Sequence, residues 1–122
     1  MPKYLAVMAG AALGGLARYL MVSALSARLA SRFPWGTFTV NILGCFLIGL
    51  ISTILVERSA STTWSLFLVT GILGGYTTFS AFGWETVQLS RQGEHLLALA
   101  NAVGSVCAGY AAVWLGVLIA RR

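Results

Sequence analysis

Four long apolar stretches, divided by polar breaks too short to hold a domain, decide what this chain can fold into. They run over residues 4–29, 35–56, 64–89 and 96–120. Each reaches the roughly 20 residues that a helix needs to cross a hydrocarbon core about 30 Å thick. Inside such a core every backbone polar group must be paired within the protein, so the stretches are expected as helices. The breaks, at residues 30–34, 57–63 and 90–95, are brief enough to force neighbouring helices antiparallel and put both termini on one side. Composition agrees: 58% of the 122 residues are hydrophobic and 9% are charged, against about 25% charged in an ordinary soluble domain. A soluble fold of this length has too little interior to hide that surface. The expected class is an all-α membrane protein, a single unit over 1–122 with four transmembrane helices. The first stretch is expected as a true span, because it outruns the 7–15 apolar residues of a signal peptide and carries Arg18 inside it.

The net charge of +5 does not point to nucleic acid. The cations are scattered singly between apolar runs and form no stripe; beside spans they suit anionic headgroups and topology signals. Their distribution is nearly even. One side carries Lys3, Arg58, Arg121 and Arg122, and the other Arg28, Arg32 and Arg91. With four against three, the chain has little bias to choose an orientation, and insertion both ways is open alongside a single orientation. Cys45 and Cys107 lie in apolar runs and read as small packing residues. His95 has no second ligand nearby, so no metal cluster or enzyme site is expected.

Residues that cost energy in lipid need a reason to be there. Arg18 lies deep in the first span and Glu85 towards the end of the third; ionisable groups at a helix centre cost about 2.5–3.5 kcal/mol or more. Arg18 reads as an anion-attracting charge or an interfacial anchor, and Glu85 as part of a polar track or an interfacial acid. Asn41 sits one turn after Thr37 on one face. Its amide reads either as glue between helices or as a replacement for water around an anion. The glycines, with Gly10 and Gly14 in a GxxxG pattern and Gly44, Gly49, Gly104 and Gly109 further on, mark close helix contacts.

The third span holds the most telling run, Gly71 to Gly83, with Gly74-Gly75-Tyr76-Thr77-Thr78-Phe79 at its centre. Gly-Gly and paired Thr are poor helix formers, so this span is expected to break near mid-membrane and free backbone groups for ions, water or side chains. Beyond the break Phe79 and Phe82 share a face, with Glu85 three residues on. Their positive ring edges could line an anion path, although lipid or core contact is the plainer reading of two Phe. In the fourth span Asn101, Ser105 and Gly109 form one polar or small stripe.

These pieces together resemble the Fluc/CrcB fluoride channels of bacteria. The match covers the whole chain in length, layout and motif order: Gly14-Gly15-Leu16-Ala17-Arg18-Tyr19, then Gly36-Thr37-Phe38-Thr39-Val40-Asn41-Ile42-Leu43-Gly44, then Gly74 to Phe82 followed by Glu85. The resemblance implies an antiparallel, dual-topology homodimer with two pores in the bacterial inner membrane, exporting fluoride passively. It implies that Asn41 donates to the anion and that Phe79 and Phe82 line the pores. Arg18 would stand at an aqueous vestibule, and Thr78, Ser80, Glu85 and Ser105 would contribute the polar side of the path. It also implies a structural Na⁺ at the dimer interface, held by the backbone carbonyls of Gly74 and Thr77 from both subunits. In the fourth span the weight falls on Ser105 before Asn101.

The main rival is a proton-coupled small multidrug exporter, also short, four-span and often of dual topology. Such proteins rely on a carboxylate deep in the first span, where this chain has Arg18 and no acid. A purely structural subunit would leave Arg18 and the broken third span unexplained.

Overall fold

The computed structural model describes residues 2–122. Two of the helices run the full length of their spans on the first half of the chain: α1 (Lys3–Leu29) and α2 (Trp35–Glu57). The third span, Thr62–Arg91, is assembled from four pieces. These are α3 (Thr62–Ser65), a π-helical segment (Leu66–Leu73), α4 (Gly74–Tyr76) and, after the extended pair Thr77–Thr78, α5 (Phe79–Arg91). Last comes α6 (His95–Ala120). All four spans are long and apolar enough to cross a membrane, and the described residues contain no strand. Large side chains such as Leu16, Tyr19, Val106 and Leu118 are more than half exposed, which suits a lipid surround, where packing rather than apolar burial joins helices.

Two glycine-lined contacts organise the bundle. In the first, α1 lies against the π segment and α4 so closely that backbones touch. A Cβ on Gly10 would run into the Phe67 carbonyl, and one on Gly14 into the carbonyl of Ile72; a Cβ on Gly75 would stand 2.6 Å from the Ala11 oxygen. The π segment has i→i+5 turns, a geometry rare outside functional sites. Its wide backbone sits where Gly10, Gly14, Gly71 and Gly75 keep side chains out of the way. In the second contact α2 lies against α6, with Gly49 under the Val113 carbonyl and Gly116 under that of Phe46. By contrast α5 has no comparable glycine seam: Gly83 has nothing within 4 Å of where a Cβ would stand.

The turns are tight. After α5, Gly93 takes φ +81°, and the Glu94 N–H returns to the Leu89 carbonyl at 2.9 Å, closing the helix end as a Schellman motif does. Ser59 (φ 48°) serves the same purpose after α2, with the Ala60 N–H on the Leu55 carbonyl at 2.9 Å. An ion pair between Arg32 and Glu94 joins the α1–α2 turn to the α5–α6 turn, so these turns share one end of the bundle. Being exposed, the pair is worth about 0–1 kcal/mol at most.

The first seam can be tested by adding one methyl. Gly14→Ala is expected to destabilise the protein by about 1–3 kcal/mol, the range for an overpacked contact. Gly15→Ala, whose methyl meets nothing within 4 Å, is expected to leave the midpoint of thermal unfolding in detergent unchanged or raise it slightly, since alanine is favoured over glycine inside a helix by up to about 1 kcal/mol.

Candidate functional site

The site is built around the interruption of the third span. Thr77 (φ −81°, ψ 158°) and Thr78 (φ −150°, ψ 121°) are extended, so the Thr77 carbonyl and the Thr78 N–H and carbonyl leave the helical ladder, while the Thr77 N–H keeps its helical bond to the Leu73 carbonyl. Two side chains take up the freed groups. Asn41 on α2 forms a two-point clamp: its Oδ1 accepts from the Thr78 N–H at 2.8 Å, and its Nδ2 donates to the Thr78 carbonyl at 2.9 Å. Arg18 on α1 donates from Nη1 to the Thr77 carbonyl at 3.1 Å. The Thr78 hydroxyl caps the second half of the span by accepting from the Ala81 N–H at 3.2 Å. The clamp commits one of the two hydrogens on Asn41 Nδ2 and leaves the other uncommitted. It also diverts the Thr78 N–H, which an unbroken α-helix would aim at the Gly74 carbonyl.

A cleft of about 350 Å³ opens beside this break. It is lined by Asn41, Gly74, Thr77, Thr78, Phe79, Phe82 and Ser105, together with apolar side chains of α2, the π segment and α6. The rings of Phe79 and Phe82 lie 5.5 Å apart and are tilted by 39°, and Phe79 is 84% exposed. The structure therefore brings seven of the residues singled out in the sequence to one cleft. Arg18, Ser80 and Glu85 stand off its lining. Ser80 reaches back to the Thr78 hydroxyl at 3.4 Å. Arg18, expected at a vestibule, spends a hydrogen bond on the break itself.

Two further polar ties fasten α5 to its neighbours. The Thr37 hydroxyl on α2 donates to Glu85 Oε1 at 2.7 Å, while Glu85 Oε2 is buried without a partner among the described residues. On the other side Asn101 of α6, 2% exposed, donates from Nδ2 to the Thr86 hydroxyl at 2.9 Å. Thr86 in turn donates to the Phe82 carbonyl at 2.8 Å. Sequence reasoning missed Thr86 altogether, since a lone threonine in an apolar helix carries no signal. It did mark Asn101 and Thr37, through their four-residue spacing from Ser105 and Asn41, but not their partners across the bundle.

Carbonyl oxygens turned out of a helix are ligands of the hard-cation type. That of Thr77 fits this description; the Gly74 carbonyl keeps helical geometry but has lost its helical donor to Asn41. The Thr77 oxygen already accepts from Arg18, which leaves it one of its two lone pairs.

Removing the clamp should be costly. Asn41→Ala is expected to lose about 1–3 kcal/mol for each Thr78 group left unpaired, read as a lower thermal midpoint in detergent. Thr53→Val, which deletes only a hydroxyl bonded to its own helix at the Gly49 carbonyl, should change the midpoint by less than about 0.5 kcal/mol.

Comparison with known proteins places this geometry in a family. A family profile described as CrcB-like protein, Camphor Resistance (CrcB), matches residues 5–117. A protein of Solibacter usitatus named fluoride-specific ion channel FluC is 54% identical over 121 residues, covering 98% of this chain and 99% of its own length. One of the same name from Acidobacterium capsulatum is 45% identical, covering 98% and 97%. Another, from Rhizobium meliloti, is 42% identical, covering 99% and 98%. With a family profile matched across nearly all of its length and relatives aligned end to end, the chain belongs to the CrcB-like family.

Proposed function

We propose that this multi-pass bacterial membrane protein is a fluoride-selective channel that lets the ion leave the cell passively. The observation that carries the reading is the cleft at the broken span, where hydrogen-bond donors and two phenylalanine rings meet in a lining otherwise apolar. Relatives named fluoride-specific ion channel FluC, similar over the whole chain, support it. Fluoride is small and strongly hydrated, so a path for it must replace water with donors and still let the ion go. The free hydrogen on Asn41 Nδ2 and the Ser105 hydroxyl can supply donors. The positive ring edges of Phe79 and Phe82 supply weak, undirected attraction between them. Arg18 adds a fixed positive charge behind the break, which draws anions towards the path; the deep carboxylate that a drug-cation exporter relies on is absent from the first span.

The proposal extends to assembly. Phe79 faces outward and the cleft opens on the same side, so a second copy seated there would close two equivalent paths. The near-even cation count across the two sides allows that copy to insert in the opposite orientation. Thr78, Ser80 and Glu85 would add polar groups along the path. The carbonyls of Gly74 and Thr77 from both copies would hold a structural Na⁺, which supplies positive charge between two electron-rich helix breaks. Arg18 shares the Thr77 oxygen and keeps that carbonyl aimed out of its helix.

The test is anion efflux from liposomes loaded in parallel with fluoride and with chloride, at no proton gradient. Fast fluoride release with negligible chloride release is expected. Phe79→Ile and Asn41→Ala should slow fluoride by roughly tenfold or more, the scale of one lost contact to a charged group. Absence of fluoride release from well-folded protein would overturn the reading.

A further inference from the structure

We infer that Asn101 is a positioning residue that keeps the Ser105 proton available to the cleft, acting through the Ser105 hydroxyl without itself lining the path. The inference rests on the channel reading above and concerns a residue that reading leaves unused. Asn101 is buried at 2% exposure and is not part of the cleft lining, whereas Ser105 is.

The polarity of the chain of bonds is fixed from its far end. The Phe82 carbonyl can only accept, so the single Thr86 proton goes to it at 2.8 Å. The Thr86 oxygen must then accept, which turns the amide nitrogen of Asn101 towards it at 2.9 Å. That leaves Asn101 Oδ1 facing Ser105, and an amide oxygen cannot donate. Ser105 is therefore the donor, at 3.4 Å.

What matters is where the Ser105 proton would otherwise go. A hydroxyl inside a membrane helix ordinarily bonds a carbonyl three or four residues back. Three threonines of this chain do so firmly: Thr53 to Gly49 at 2.7 Å, Thr77 to Leu73 at 3.0 Å and Thr86 to Phe82 at 2.8 Å. Ser105 instead donates to a side-chain oxygen at a length where a hydrogen bond is weak. An anion in the cleft can accept that hydrogen bond in place of Asn101 at small cost, the proton staying on the Ser105 oxygen, and on the anion's departure the hydroxyl turns back to Asn101. The anchored amide thus makes Ser105 a donor that is satisfied at rest and readily released. A donor of that kind meets the two demands on a conduction site, entry without trapping.

The test measures initial fluoride efflux from proteoliposomes over a range of internal fluoride concentrations. Asn101→Ala should let Ser105 bond its own helix and raise the half-saturating fluoride concentration roughly three- to tenfold, the scale of one hydrogen bond. Thr86→Val, nearly isosteric, frees the amide from its anchor and should shift it the same way by less, so the idea remains testable even if Asn101→Ala folds poorly. Both shifts should vanish in a Ser105→Ala background, which a merely structural role for Asn101 would not produce. An equal shift with and without Ser105, or no shift in either single variant of normal gel-filtration profile, would overturn the inference. Wild-type protein that releases no fluoride would instead sink the channel reading beneath it.

Discussion

A helix interrupted inside a membrane must find partners for the peptide groups it lets go, and most of this structure follows from that requirement. The extended pair Thr77–Thr78 withdraws donors and acceptors from the helical ladder where no water is assured. Arg18 and Asn41 come from different helices to meet them. Their reach depends on the glycines placed one turn away. Gly14, four residues before Arg18, lets α1 press on the backbone at Ile72 and Tyr76, and Gly44, three after Asn41, leaves room for the Thr77 methyl. The glycines do more than pack helices: they set the distance at which a side chain can complete a broken one.

The two halves of the third span are consequently held by different forces. The first half, the π segment and α4, is fixed by backbone contact with α1 along a seam of glycines. The second half, α5, is pinned by polar ties at its start, middle and far side: Asn41 to Thr78, Thr37 to Glu85 and Asn101 to Thr86. Interhelical hydrogen bonds in membranes are worth about 0.6–2 kcal/mol each, so together they rival a packed seam. They also leave the opposite face of α5 open, and Phe79 stands on it.

Much of this was legible in the sequence because lipid removes alternatives. Four apolar stretches with short breaks permit little besides four helices, and Gly74-Gly75 before Thr77-Thr78 marks the place where the third must fail. Asn41, Phe79 and Phe82 stood out as candidates through the family resemblance, since their spacing alone reads equally as helix glue and lipid contact, and the cleft collects them. What the sequence did not disclose is partnership. Arg18 reads as a vestibule charge until the Thr77 carbonyl is seen 3.1 Å away. The amide of Asn101 reads as part of a stripe until the Thr86 hydroxyl, fifteen residues earlier, is seen to accept its hydrogen bond. Such pairings depend on how far two helices are rotated about their axes, and side-chain spacing along one helix does not contain that angle. The π segment, which lies in backbone contact with α1, was equally hidden.

The lengths of the polar bonds sort them by task. Those that hold the frame are short: Thr37 to Glu85 at 2.7 Å, Asn101 to Thr86 at 2.9 Å, and the Asn41 clamp at 2.8 and 2.9 Å. The hydroxyl bonds made by cleft-lining residues to other side chains are long, with Thr78 to Ser80 and Ser105 to Asn101 each at 3.4 Å. A donor left wholly free in an apolar cleft would carry a desolvation cost, and one bonded firmly would have nothing to offer an ion. Weak engagement sits between these limits. It lets the protein exist without the anion and still greet it, provided the acceptor on the other end is itself immobile. The short bonds make it so, and the rigid frame and the pliant donors are therefore one design.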